Sequence, residues 1–396
     1  MPMIERPCPV CTQADAVPVF DNAMAAVGGL DMGYCIGRCQ HCGFHFAHRL
    51  PEAAQYGRYY QSLSKYDVPA TTSVLDQARI DATVLFCQAH IARDAVIADL
   101  GCGDGALLGG FKAAGWQALQ GLDPAPLSAQ CALERYGVGG IHRASMAEAD
   151  RVLDLSRVDL VCSMAVLEHL PNLRSDLQAL LHKLRPGCKV LVEVPAVECF
   201  TALGNEPHGE LSLEHIQFFS RQSLCNLFAS LGARTLAVQT LALPMVGSGS
   251  LLGLFEWPGA ALQGASATAS ASSAPLAVSL QPESGDAFAR YVQESNAQWA
   301  LALAKIPTGP LIVYGAGSHT ARLLPALEQI SGCAVQAVVD SNPNLLGKTM
   351  GRWTIQSPDG IGQSPTVPVL VSSFRSQAAI AQALRARVPN PLVLLY

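Results

Sequence analysis

Val96-Ile97-Ala98-Asp99-Leu100-Gly101-Cys102-Gly103-Asp104-Gly105 is the stretch that decides the fold. A short apolar run ends in an acid, three glycines follow at alternate positions, and Ala106 to Ala114 reads as helix. Strand, glycine turn and helix bring backbone N–H groups close to a polar nucleotide ligand, where a Cβ would hold that ligand away. A plain tight turn between any strand and helix would use the same glycines. The next acid favours the ligand. Trp116 to Leu122 reads as a second apolar strand with Asp123 at its carboxyl end, about 20 residues beyond the glycines. A carboxylate there can accept both ribose hydroxyls.

From Ala95 to Trp257 strands and helices alternate as a doubly wound sheet requires, with strands near 95–100, 116–122, 140–144, 158–164 and 188–194. Leu173, Leu177, Leu180, Leu181 and Leu184 line one face of a helix over 172–184, and a further helix over 221–231 precedes strands at 234–242 and 250–256. Ser73 to Ile91 shows helical spacing and should cover the first strand. Leu236 to Phe255 carries no charge, yet Pro244, Gly247 and Gly249 interrupt it, so two strands joined by a turn fit better than a membrane span.

Towards the N-terminus, Cys8-Pro-Val-Cys11 and Cys39-Gln-His-Cys42 are two C-x-x-C knuckles separated by 27 residues. This is zinc-ribbon spacing, in which Cys8, Cys11, Cys39 and Cys42 close a tetrahedral structural zinc site with no open position for substrate. Cys35, His41, His45 and His48 crowd the second knuckle. Tyr56, Tyr59, Tyr60 and Tyr66 follow. Most of them should pack the ribbon against the next domain, and Tyr66 is singled out to reach the reacting groups with its hydroxyl.

The 396 residues call for two or three domains, and 50% hydrophobic content with 14% charge supports a sizeable core. A net charge of −5 leaves no basic footprint for nucleic acid. Met1 to Pro7 has no apolar h-region, so no signal peptide is expected, and the 13 cysteines fit thiols and metal in the cytoplasm. Between Glu256 and Glu283 there is no charge, and Gly264 to Ala274 is a low-complexity linker. Asp286 to Lys305 reads as helix. Leu311 to Thr320 is another strand, glycine turn and helix, and Ala334 to Val339 a strand ending in Asp340; Val369 to Phe374 and Leu392 to Tyr396 are further strands. Thr320 replaces the third glycine of a dinucleotide fingerprint, which weakens the case for bound NAD. Gly315, Gly317, Ser318 and His319 can cradle a diphosphate or simply make the turn.

The glycines alone do not separate NAD from S-adenosylmethionine. Asp-Leu-Gly-Cys-Gly-Asp-Gly at 99–105 resembles motif I of class I S-adenosylmethionine-dependent methyltransferases. Asp159 to Pro171 resembles their fourth-strand motif, and Arg185 to Pro195 the segment leading into their fifth strand. The resemblance implies a seven-stranded sheet with a terminal hairpin. It also implies donor contacts from Asp99, Gly101, Cys102, Gly103, Asp123 and Pro124, with Ser145 and Met146 near the adenine and Met164 and Val166 along the adenosyl edge. Ser145 and Met146 serve equally well as core.

His208-Gly-Glu-Leu-Ser-Leu-Glu-His-Ile-Gln-Phe-Phe-Ser220 follows the fifth strand. Together with the zinc ribbon and the C-terminal Rossmann-like module it is similar to nucleotide-sugar C-methyltransferases, which methylate a carbon beside a ketone. That likeness makes His215 the base, taking a proton alpha to the ketone, and Glu214 its neighbour or a sugar contact. A buried structural Glu–His pair is the alternative. His169 and His208 join the expected substrate contacts. The family commonly has a tyrosine two residues before the Glu, where this chain has Ser212, so the active-site phenol is missing or comes from elsewhere.

The expected architecture is therefore α/β: a zinc ribbon over 1–50, a seven-stranded class I methyltransferase domain over 51–257, an Ala/Ser-rich linker over 258–285 and a Rossmann-like domain over 286–396. Expected ligands are S-adenosylmethionine, structural Zn2+ and a nucleotide sugar, with no nucleic-acid or membrane partner. O- or N-methylation of another polar metabolite and a non-catalytic nucleotide-sugar-binding protein are the alternatives. The oligomeric state is open.

Overall fold

In the computed structural model the described residues are 3–62, 74–201, 203–243, 248–259, 280–283 and 286–396. Tyr66, the Gly264–Ala274 tract and the turn after Leu243 lie outside them.

The chain opens with strands β1 (Ile4–Glu5), β2 (Ala16–Asn22), β3 (Tyr34–Cys39) and β4 (His45–Leu50), arranged antiparallel in the order β1-β4-β3-β2. Side chains alternate across a strand, so such a thin sheet must bury both faces elsewhere. It does. Phe46 joins the core of the central domain, and the adjacent Ala47, with Tyr34 and Ile36, joins that of the C-terminal domain.

Helices α1 (Ala53–Ser62) and α2 (Val74–Gln88) lead into the central sheet. Its elements run β5 (Ile97–Leu100), α3 (Ala106–Ala113), β6 (Leu119–Asp123), α4 (Ser128–Tyr136), β7 (Ile141–Arg143), α5 (Ala149–Val152), β8 (Leu160–Met164), α6 (Leu173–Leu181) and β9 (Lys189–Pro195). After these come β10 (Gln217–Phe218), α7 (Arg221–Ser230), β11 (Arg234–Leu243) and β12 (Ser248–Glu256). The sheet has seven strands in the order β11-β12-β9-β8-β5-β6-β7. β5 to β9 are parallel, and the β11–β12 hairpin closes the edge antiparallel to β9. All four residues of β5 are buried, as a strand covered on both faces must be. Strand order reverses between β5 and β8, which opens a crevice at their carboxyl ends. Trp116 precedes its strand rather than starting it, with its indole N–H bonded to the Ala92 carbonyl at 2.7 Å.

β10 does not join this sheet. It pairs with β4, Gln217 opposite Phe46 and Phe218 opposite His45. The segment after β9 is thus sewn onto the cysteine-bearing module.

The C-terminal elements are α8 (Ala287–Leu303), β13 (Gly309–Tyr314), α9 (Ser318–Gln329), β14 (Cys333–Val339), β15 (Thr349–Met350), β16 (Trp353–Gln356), β17 (Val369–Val371), α10 (Gln377–Arg385) and β18 (Leu392–Leu394). Their six strands lie in the order β15-β16-β14-β13-β17-β18, parallel except for the β15–β16 pair. Among the described residues no helix is long and apolar enough to cross a membrane.

Candidate active site

The glycine turn sits at the end of β5. Gly101, Gly103 and Gly105 all have positive φ. A Cβ on Gly101 would stand 2.7 Å from Val166 Cγ2, and one on Gly105 would stand 2.5 Å from Ala132 Cβ. Those two glycines serve packing. A Cβ on Gly103 would meet no atom within 4 Å, so that side of its backbone faces open space. Asp123, at the end of β6, accepts the Gly103 N–H at 2.8 Å through Oδ2 and the Ala125 N–H at 2.8 Å through Oδ1. These bonds fix the carboxylate over the turn. Asp99 is 2% exposed and its Oδ1 has no hydrogen-bond partner. Burial first, and the Asp123 charge second, push its pKa up to about 7. An orphaned buried carboxylate beside an open backbone edge fits a ligand that brings its own donors or positive charge.

Two Glu-His dipeptides meet at the mouth of this crevice. Glu168 and His169 lie in a single 3-10 turn after β8, entered through Ala165 at a φ of 54°. Glu214 and His215 lie just before β10, and the Ile216 N–H bonds the Glu168 carbonyl at 2.9 Å to hold the loops together. The His169 and His215 rings are 5.0 Å apart, edge on. His169 Nδ1 lies 3.1 Å from the Glu214 carbonyl, and His215 Nδ1 lies 3.3 Å from the Glu210 carbonyl. A carbonyl can only accept, so both rings carry the proton on Nδ1 when neutral and keep the lone pair on Nε2.

Glu168 is 1% exposed, and burial pushes its pKa up to about 8. The charges of Glu193 and Glu214 act in the same direction and Arg79 opposes them. Arg79 on α2 holds Glu193 on β9 in a two-pronged pair at 2.9 and 2.8 Å, and Ser250 Oγ donates to the same carboxylate at 2.6 Å.

The Ser212 departure has a structural meaning. Its hydroxyl accepts from the Glu214 N–H at 3.3 Å and the His215 N–H at 3.1 Å, a side-chain turn that presents both residues. A phenol reaches Glu214 from another element: Tyr59 on α1 donates to its Oε1 at 2.8 Å.

A family profile described as a methyltransferase domain matches residues 75–238, the span that contains β5 to β10 and both Glu-His loops. Residues 75–238 form a class I S-adenosylmethionine-dependent methyltransferase domain. Solved structures similar to it include the 1,6-didemethyltoxoflavin N1-methyltransferase of Burkholderia thailandensis, with 17% identity over 59% of this chain and 99% of that one, at a TM-score of 0.40. The methyltransferase domain of bacterial CtHen1 is 24% identical over 47% of this chain and 100% of its own, at 0.36. The magnesium protoporphyrin IX methyltransferase of Synechocystis is 14% identical over 50% and 94%, at 0.37. No curated protein matches the chain.

Other expected donor contacts of the methyltransferase domain are distributed as follows. Cys102 is buried in the glycine turn, Pro124 is exposed beside Asp123, and Met164 and Val166 flank the β8 end of the crevice. Met146 is half-buried against the domain core. Ser145 spends its hydroxyl on Glu148 at 2.7 Å in a capping box, a helix-starting role.

In the N-terminal module one atom from each of Cys8, Cys11, Cys39 and Cys42 lies within 4.8 Å of the others. Sγ of Cys8 is 3.6 Å from Cys42, and Cys11 is 3.4 Å from Cys39. A tetrahedral ion with metal–sulfur bonds of about 2.3 Å separates its sulfurs by about 3.8 Å, so these thiols are compatible with zinc.

In the C-terminal domain, Asp340 accepts the Ala316 N–H at 2.7 Å, repeating the Asp123–Gly103 arrangement. Gly315 has a φ of 106°, Gly317 is exposed with nothing within 4 Å of a Cβ, and Ser318 opens α9. His319 does not face this turn. It is buried, with its ring nitrogens 2.9 Å from Ser372 Oγ and 2.9 Å from Tyr396 Oη, so neither is left for a ligand. His208 is likewise 1% exposed, stacked on Phe20 and bonded to Asn296 at 2.9 Å, rather than beside His169 and His215. Sequence reasoning did not single out Tyr59, Arg79 and Glu193. An acid in the middle of an otherwise apolar strand, Glu193, was the available signal.

Proposed function

We propose that the chain transfers a methyl group from S-adenosylmethionine to a carbon beside a ketone of a nucleotide-linked sugar. The observation that carries this reading is the meeting of Glu168-His169 with Glu214-His215 at the mouth of the donor crevice. Asp99, Gly103 and Asp123 would hold the donor, which supplies an already activated methyl group when bound. His215 Nε2 takes the proton from the carbon alpha to the ketone, and the electron pair moves into the enolate. The enolate carbon would then form the new bond to the methyl group as the methyl–sulfur bond breaks, the electron pair staying on the sulfur of the departing S-adenosylhomocysteine, and His215 releases its proton to solvent. Glu214, held by Tyr59, orients the sugar, and His169 stands opposite. The neutral His215 tautomer described above supports this role, since a base needs a lone pair aimed at the substrate. Tyr66 is the second phenol proposed to reach the site.

Gly315, Gly317 and Ser318 are proposed to take the diphosphate, where backbone N–H groups at a helix start favour anions. Zinc at the four cysteines is proposed as structural. Incubating the enzyme and donor with a panel of nucleotide sugars tests the whole reading by mass spectrometry. One added methylene, placed on carbon by NMR, is the expected product. Placement on oxygen or nitrogen would instead make this an O- or N-methyltransferase, and no transfer to any acceptor would make it a nucleotide-sugar-binding protein.

A further inference from the structure

We propose that Glu168, His169 and His215 bind one divalent transition-metal ion, and that its binding blocks the reaction by occupying the base. The blocking half rests on the role of His215 given above; the binding half does not. One ligand atom from each residue lies within 4.8 Å of the others, and Glu168 Oε1 is 3.7 Å from His169 Nε2. Bonds of about 2.0–2.2 Å from nitrogen and carboxylate oxygen to one ion place the donors about 3–4 Å apart, so small side-chain rotations complete the set.

Two further observations point to an ion. Glu168 is 1% exposed and its Oε2 has no hydrogen-bond partner. A buried carboxylate ordinarily pairs or coordinates, and here one oxygen does neither. Second, both imidazoles give Nδ1 to backbone carbonyls, of Glu214 and Glu210. That is the outer-shell arrangement that fixes a ligating histidine with Nε2 towards the metal.

Two imidazoles and one carboxylate suit zinc, cobalt, nickel or ferrous ions. Magnesium and calcium prefer all-oxygen shells. The set also differs from the four thiols of the N-terminal module, which lets the two sites be told apart. A lone pair given to a metal cannot accept a proton from carbon, so the ion and the proposed substrate compete for His215.

The test uses the full chain with its thiol site already filled by zinc, titrated with Co2+ and followed by visible absorption. The expected result is one further equivalent with weak d–d bands and no thiolate charge-transfer band. Glu168→Gln and His169→Asn should each weaken that uptake by at least about tenfold, as even outer-shell changes do at metal sites. Uptake of S-adenosylhomocysteine by both variants checks that they fold. No further equivalent, or equal uptake by folded variants, overturns the proposal. If the ion binds here while no acceptor is methylated, the metal site stands and the proposed reaction falls. If transfer runs equally with the ion saturating, the blocking half falls.

Discussion

Arg6 is the most informative residue to perturb, because three separate segments close on its guanidinium. Nε donates to Ala47 of β4 at 2.7 Å, Nη1 to Pro171 beyond the Glu168-His169 turn at 2.7 Å, and Nη2 to Ile216 beside His215 at 3.2 Å. Burial lowers its pKa to about 10, so it remains charged near neutrality. Replacing it by Met keeps an apolar stem and removes every one of these bonds, together with the guanidinium that lies 5.5 Å over the centre of the Phe46 ring. Hydrogen bonds to charged groups contribute about 1.5–3 kcal/mol each. Losing the Ile216 bond alone, at the low end, allows the loop to open about tenfold more often, since 1.4 kcal/mol is about a factor of ten. The three together reach about 3–5 kcal/mol if they are less than additive. Hydrogen exchange read by mass spectrometry on peptides covering 211–220 reports this opening. Exchange there should speed up at least about tenfold in Arg6→Met, while peptides from α3 and β6 stay unchanged. Donor uptake should hold within about twofold, because Asp99, Gly103 and Asp123 lie on other elements. Unchanged exchange over 211–220 would refute the idea that the N-terminal module clamps the His215 loop.

Asp123→Ala should weaken binding of S-adenosylmethionine at least about a hundredfold by calorimetry, the loss expected for two hydrogen bonds to a charged group. Tyr59→Phe frees Glu214 and should lower turnover roughly tenfold with donor affinity unchanged, a split that steady-state kinetics and calorimetry read separately. Cys39→Ser should remove one zinc on metal analysis and lower the melting temperature, with exchange over 217–218 rising because β10 rests on β4. Asp99 gives a pH signature. Its folded pKa is raised from 3.8 to about 7, so in the donor-free protein the folded state keeps a proton that the unfolded state has lost. Stability should therefore fall as pH rises from about 4 to 7 and level off above it, and urea midpoints of Asp99→Asn should lack that part of the slope.

The glycine turn was legible because its chemistry is local: three glycines, an acid at the end of one strand and another at the end of the next. The same holds for the parallel strands, whose apolar runs mark burial on both faces. Pairing between distant segments left no local mark. Nothing in Gln217-Phe218 announces that it leaves the central domain to pair with β4, and nothing in Arg6 announces three carbonyls up to 210 residues away. The density of tyrosines between 56 and 66 signalled a polar contact to the site. Helical phase on α1 put Tyr59 on Glu214, whereas Tyr66 lies outside the described residues. His319 and His208 look like ligands in sequence because histidine is versatile. Their neighbours Ser372, Tyr396 and Asn296 come from remote stretches and turn them into structural residues.

Solvent deuterium exchange at the carbon beside the ketone of a nucleotide keto-sugar, measured by NMR in the absence of methyl donor, tests the central claim most directly. The account predicts enzyme-dependent deuterium uptake at that carbon, abolished in a folded His215→Asn variant. Methylation of the same sugar by His215→Asn at an undiminished rate, with no exchange by the unaltered enzyme, would contradict it.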